Sequence, residues 1–265
     1  MTDSEPIIDE KQLARTYDGG AYADPCETVK EYRDVMRYAS KHPNKGSQAV
    51  ATATETPRSR IRTWIDDGGA PDAVRAIDTA RDYGWLDAEY DDPEFTALNT
   101  LVANIFSGGS IEQKHYQPSF ALNHRGDESH VLDALELAGV EYQVVGDRDG
   151  RADEARPTTD GTVLGRVLAV LGAPVGPKAG QDLALPDYLE GAPASVREQF
   201  VYAYLENRAV SHEGKATLTL REDRNRAYLE GLANLINDVA GGGVRFSEQD
   251  IVVSADAARS LGTVR

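Results

Sequence analysis

Two stretches roughly a hundred residues apart carry the same order of elements, and such a repetition restricts the fold before any single residue does. The first copy runs from the apolar FTALNTLVANIFSGGSI through HYQPSFAL to SHVLDALELAG and the short VEYQVV. The second runs from REQFVYAYLENRAV through KATLTLR to NRAYLEGLANLIND and VRFSEQDIVVS. Each copy reads as helix, strand pair, helix. In KATLTLR, Ala216, Leu218 and Leu220 alternate with Lys215, Thr217, Thr219 and Arg221, the period of a sheet with one buried and one solvated face. In HYQPSFAL the inward set is Pro118, Phe120 and Leu122, leaving Gln117 and Ser119 outside. The pattern predicts an α+β domain with a duplicated core over residues 94–262.

The N-terminal third has a different character. DPCETVKEYRDVMRYASKHP predicts a helix with Asp24 as its cap, Pro25 at its first position and Pro43 as its stop; Val29, Tyr32, Val35, Met36 and Ala39 form its buried face. A short helix from Ser47 to Thr54, a tight turn through Glu55 and Thr56, and a helix from Pro57 to before Gly68 follow. Ala51 is small where two helices must meet, and Val50, Ile61 and Trp64 fill the wedge between them, which resembles a helix-turn-helix. Glu55 departs from that pattern, which favours glycine with positive φ at the turn. A further helix from Pro71 to Tyr83 turns Ala73, Val74, Ile77 and Ala80 inward, Gly84–Leu86 closes the unit, and residues 87–93 are the linker. The helix-turn-helix domain is thus placed at residues 24–86.

The outward side of the second helix of that motif carries Arg58, Ser59, Arg62 and Thr63, with Arg60 nearby, in the half that enters a major groove. Between Lys30 and Ile65 eight Lys and Arg face three acids, whereas the whole chain has a formal charge of -16. The local patch therefore opposes the global sign. Arg58 and Arg62 are candidates for base or phosphate contact, Lys45 and Gln48 for positioning on the backbone.

The excess of acids, with arginine far commoner than lysine, resembles proteins of haloarchaea, whose salt-rich cytoplasm shortens screening to about 3 Å near 1 M. No apolar run approaches the roughly 20 residues that cross a bilayer, and MTDSEPIIDE lacks the basic-then-apolar order of a secretory signal. A cytoplasmic protein with no membrane partner is expected. The single cysteine, Cys26, excludes an internal disulfide and a cysteine-rich zinc site. The histidines, His42, His115, His124, His130 and His212, show no ligand spacing, and His124 and His130 read as exposed imidazoles. GGSI and GGGVRF lack the signatures of phosphate loops, and Asp147, Asp149, Asp153 and Glu154, like Glu222 and Asp223, read as solvated acidic surface. No cofactor and no metal are expected.

The order of the repeat and the ends of its apolar helices resemble the LAGLIDADG homing endonucleases. In that family two such units pack their signature helices around a pseudo-two-fold axis, and the outer faces of the sheets lie on DNA. Ala103, Gly108 and Gly109 in one copy, and Ala203 and Ala209 in the other, are the small residues expected to let the helices approach. The stretch from Leu164 to Leu189, with its Gly-Pro-Lys turn, resembles the family's connector. The resemblance implies double-stranded DNA as partner, with Gln117, Ser119, Lys215, Thr217, Thr219 and Arg221 on the DNA face.

It also implies divalent metals held by one acid at the end of each signature helix. Those positions are Gly108 and Asn207, and neither is anionic. Glu206 is one residue away, a rotation of about 100° on a helix. The expectation is therefore a catalytically inactive scaffold, not an enzyme, serving as a sequence-specific DNA-binding transcription regulator. WhiA-type bacterial regulators pair the same two domains in the opposite order. The alternatives are an active homing-type endonuclease using Glu206, and an interaction scaffold. The internal symmetry suits a monomer, whereas a helix-turn-helix often works as a homodimer.

Overall fold

The computed structural model describes residues 6–18, 24–122, 128–146, 152–211, 216–247 and 249–262. His124, His212, Lys215, Asp147 and Asp149 lie outside the described residues. Helix α1 (Glu10–Arg15) is followed by α2 (Pro25–Lys41), α3 (Ser47–Thr54), α4 (Arg58–Asp66) and α5 (Asp72–Asp82). Asp24 caps α2 through the Cys26 amide at 3.0 Å, Pro25 occupies the first turn, and the helix stops at His42, before Pro43. Helices α3 and α4 have the predicted bounds to within one residue. Glu55 lies between them at φ 54°, in the left-handed region that the turn requires and glycine would occupy freely.

The buried apolar residues fall into two groups. The smaller comprises Val35, Val50, Ala51, Ile61 and Trp64, with Tyr32 edge-on to Trp64 at 5.3 Å. Ala73, Val74, Ile77 and Ala80 of α5 are buried as their spacing predicts, but they join the larger group, with the second part of the chain. Trp85 belongs there too, and its indole donates to the Ala138 carbonyl at 3.2 Å. Helix α2 reaches both groups, Val29 in one and Val35 in the other.

The larger body is a visible duplication. Its first half is α6 (Pro93–Ser107), β1 (Ser110–Ile111), β2 (Pro118–Ala121), α7 (His130–Leu137), β3 (Tyr142–Val145), β4 (Glu154–Pro157) and α8 (Gly161–Val170). After α9 (Tyr188–Gly191), the second half repeats the order as α10 (Ala194–Arg208), β5 (Val210–Ser211), β6 (Leu218–Arg221), α11 (Arg226–Ala240), β7 (Val244–Ser247), β8 (Asp250–Val253) and α12 (Ala255–Ser260). The two antiparallel sheets have equivalent strand orders, β1-β2-β4-β3 and β5-β6-β8-β7. The fold is mixed α+β.

Helices α6 and α10 pack side by side. Ala103 and Ala203 are fully buried, Phe106 meets Phe200 at 6.2 Å, and Asn99 donates to the Val196 carbonyl at 2.9 Å and the Gln199 side chain at 3.1 Å. A polar residue buried here fixes the register of the two helices, because only one alignment satisfies it.

Several expectations need correction. Each half has four strands where a strand pair was expected: β4 forms where Asp153 and Glu154 read as surface, and VRFSEQDIVVS is a hairpin, β7 and β8. The strands in HYQPSFAL and KATLTLR begin only at Pro118 and Leu218, so Ala216 precedes its strand and is half-buried. His130 is half-buried against Tyr202 at 6.3 Å, not exposed. Gly109 answers to β2 and not to the partner helix: a Cβ there would lie 2.7 Å from both the Ser119 carbonyl oxygen and Asn104 Oδ1.

Candidate nucleic-acid interface and helix-end cluster

Alternation in the strands leaves one face of each sheet open. In β2, Pro118 and Phe120 are buried and Ser119 half-exposed; in β6, Leu218 and Leu220 are buried, Thr219 half-exposed and Arg221 exposed. Across the second sheet, Val210, Thr219, Val252 and Arg245 form one cross-strand row, and Arg221, Asp250 and Ser247 another. Arg245 is exposed and escaped the sequence reading because its strand was not separated from the next. The alternation in VRFS was the available signal.

On the first sheet the polar residues hold one another. Ser119 donates to Glu154 Oε2 at 2.8 Å, Arg156 pairs with the same oxygen at 2.6 Å, and Gln117 donates to the Pro157 carbonyl at 3.1 Å. Thr217 is half-exposed ahead of β6. The exposed cations therefore gather on the second sheet.

In the N-terminal unit, Gln48, Arg58, Ser59, Arg62 and Thr63 are exposed. Arg58 donates to Ser47 Oγ at 3.3 Å, Ser47 donates to Asp66 at 2.9 Å, and Arg62 stands 4.0 Å from the same carboxylate. Arg60 turns back to Glu31 at 3.2 Å, and Lys45 donates to the Tyr38 hydroxyl at 2.6 Å.

The ends of α6 and α10 meet in a polar cluster. Asn207 Nδ2 donates to Ser107 Oγ at 3.1 Å across the helix pair. Lys178, from the connector, donates through Nζ to the carbonyls of Ile105 at 2.5 Å, Gly109 at 2.8 Å and Phe106 at 3.4 Å. The first and last of these, Ile105 and Phe106, are acceptors that a helix terminus leaves open, and a cation suits the negative end of the helix dipole. Burial, then the positive Arg224, pushes the Lys178 ammonium down to about 8, with Glu222 opposing. Glu222 is only 2% exposed; it accepts from Tyr204 at 2.9 Å and Arg208 at 2.7 Å, and Arg224 lies 3.9 Å from its other oxygen. Burial raises the phenol of Tyr204 well above its ordinary range. Glu222 is therefore not the solvated surface acid expected from the sequence, since three partners hold it inside; Lys178 escaped the sequence reading because it does not lie on a signature helix.

This cluster does not fit the divalent metal that the resemblance implies at the two helix ends. Gly108 has no donor, the Asn207 amide is turned to Ser107, and the ammonium of Lys178 holds the carbonyl oxygens that a hard cation would seek.

No family model matches the chain, and no curated protein matches it in sequence. Among solved structures it is similar to the homing endonuclease I-WcaI bound to its DNA recognition sequence, at 12% identity and a TM-score of 0.46, covering 69% of this chain and 84% of that one. The expectation that the chain is not an enzyme does not stand: the inference of inactivity rested on two positions alone, Gly108 and Asn207. Glu206, half-buried beside Asn207 near the end of α10, is a further carboxylate that those positions leave out.

Proposed function

We propose that the chain binds double-stranded DNA on the outward faces of its two sheets, on a duplicated homing-endonuclease-like scaffold, and that cleavage of the bound duplex is its activity. The observation that carries the binding reading is the duplication: two sheets of equivalent strand order, flanking one helix pair, each with an open polar face. Such an arrangement suits a ligand with its own two-fold repeat, and duplex DNA is one. Glu206, near the end of α10, is the carboxylate on which the cleavage reading depends.

Fluorescence anisotropy of labelled duplex and single-stranded DNA tests binding. Preference for the duplex, weakened in Arg221→Ala and Arg245→Ala, supports it; equal or undetectable binding of both defeats it. Incubation of supercoiled plasmid with the protein and Mg²⁺ or Mn²⁺ tests cleavage. Nicking or linearisation that disappears in Glu206→Gln supports the nuclease, and an intact plasmid at saturating protein defeats that part alone.

Regulation of transcription is the second reading, favoured by exposed Arg58 and Arg62 in the first five residues of the nine-residue α4. A base reader loses about 1–3 kcal/mol of discrimination at one position when such an arginine is removed, whereas a phosphate contact weakens all sequences alike. Selection of binding sites from a random duplex library, with wild type and Arg62→Ala, separates the two.

A further inference from the structure

The strand registers set the two halves residue against residue, one hundred positions apart. Ser110 pairs with Ser119 in one sheet as Val210 pairs with Thr219 in the other. The same offset holds in the helix pair. Asn99 donates to Gln199 at 3.1 Å and Asn207 to Ser107 at 3.1 Å, so residues of α6 meet their own counterparts on α10, as residues on a two-fold axis do. Ala103 and Ala203, both buried, lie between those contacts. The counterpart of Asn207 is therefore Ser107, one residue before Gly108.

This equivalence exposes a difference between the two helix ends. Glu206, Arg208 and Glu222 of the second half stand where the first has Phe106, Gly108 and Leu122. Phe106 and Leu122 are only 1% and 3% exposed and belong to the core. At the second end Arg208 and Arg224 converge on Glu222, at 2.7 Å from one carboxylate oxygen and 3.9 Å from the other. At the first end the Lys178 ammonium is engaged with three carbonyl oxygens. One end is rich in ionisable side chains, and the other has exchanged them for apolar residues and glycine.

We propose that the chain is a strand-selective nuclease, in which the end of α10 cuts one strand of the duplex and the end of α6 cuts none. The inference rests on the cleavage reading above. Hydrolysis of a phosphodiester requires an acceptor for the proton of the attacking water and positive charge beside the phosphoryl oxygens. The water oxygen bonds to phosphorus while one P–O ester bond breaks; Glu206 takes the water's proton, and the leaving sugar oxygen takes one from solvent. Arg208 and Arg224 supply the positive charge, and Glu222 positions them. Phe106, Gly108 and Leu122 can supply neither need. Helix α6 leads into β1 and α10 into β5, so each end serves its own sheet. A duplex laid across both sheets then has one strand at a competent end and the other at an inert one.

The test follows supercoiled plasmid through time with the full-length protein and Mg²⁺ or Mn²⁺, and then maps the cuts on each strand by primer extension. Open circles are expected to accumulate, with linear product no sooner than independent nicks make it, and each mapped site is cut on one strand alone. Glu206→Gln is expected to leave the plasmid supercoiled. A protein with two working ends behaves differently: it linearises the wild-type reaction directly, and Glu206→Gln turns it into a nicking enzyme. Either of those results overturns strand selection while the cleavage reading stands. A plasmid left intact by the wild type overturns the cleavage reading and strand selection with it, and duplex binding, measured separately by anisotropy, is untouched by that outcome.

Discussion

Lys178 is the residue on which the end of α6 depends. Two of its three acceptors, the carbonyls of Ile105 and Phe106, are ones the last turn of the helix cannot satisfy internally, and the third, that of Gly109, follows the helix end. Lys178→Met keeps the stem and removes the donors, and is expected to destabilise the protein by about 1–3 kcal/mol near neutral pH, measured by chemical denaturation. The pH dependence has a definite sign. The folded pKa of about 8 is below the ordinary 10.5, so between those values the unfolded chain binds more protons. Burial of the charged amine therefore weighs in full below pH 8 and is relieved as pH rises toward 10.5. Wild type is expected to gain stability relative to Lys178→Met across that window, and parallel denaturation midpoints from pH 7 to 10 would contradict the assignment. Glu55 has an opposite character: exposed, at φ 54°, with nothing in its side chain required by the turn. A left-handed residue with a Cβ is strained by roughly 1–2 kcal/mol, and the greater freedom of glycine in the unfolded chain returns part of it. Glu55→Gly is expected to raise stability by a few tenths to about 1 kcal/mol in thermal unfolding at fixed salt.

Among the elements, the pairing of α6 with α10 rests on more than small residues. Asn99 is fully buried, donates to α10 and accepts from the Tyr188 hydroxyl at 2.7 Å, itself in a buried setting where its ionisation is suppressed. Asn99→Leu strands that hydroxyl and the Gln199 side chain, and a loss of about 2–4 kcal/mol is expected in urea unfolding. The sequence makes the two halves visible because their apolar helices and the alternation in β2 and β6 bury Phe120, Leu218 and Leu220 in the manner that the period demands. Strand β4 is hidden because EARP offers only the small Ala155 and a proline, Pro157, as inward residues, and its partners come from β2 and β3. The turn between β7 and β8 was equally silent, since VRFSEQDIVVS carries no glycine or proline within it. The helix-end cluster was legible only in Asn207. Lys178 meets its acceptors across 69 to 73 residues of sequence, and no local pattern announces such a contact.

For the whole molecule the central tension is between a strongly anionic chain and the anionic duplex proposed as its partner. The formal charge of -16 repels a duplex at long range, so association requires screening, while contact requires local cations. Raising salt relieves the first and weakens the second. Affinity contributed by phosphate contacts falls with a slope of about -0.9 per neutralised phosphate in log K against log salt. Arg221 and Arg245 are the exposed cations of the second sheet, on separate strands of one face, so their contributions are expected to add. Each alanine variant should shallow the slope by about 1, and the double variant by about 2. Arg75, exposed on α5 and paired with Asp72, is the control that leaves the slope unchanged. The measurement is anisotropy with one duplex across a salt series, each variant first shown to unfold at the wild-type temperature. If the slope of Arg75→Ala shifts as much as that of Arg245→Ala, the sheet face has no privileged role in holding the duplex.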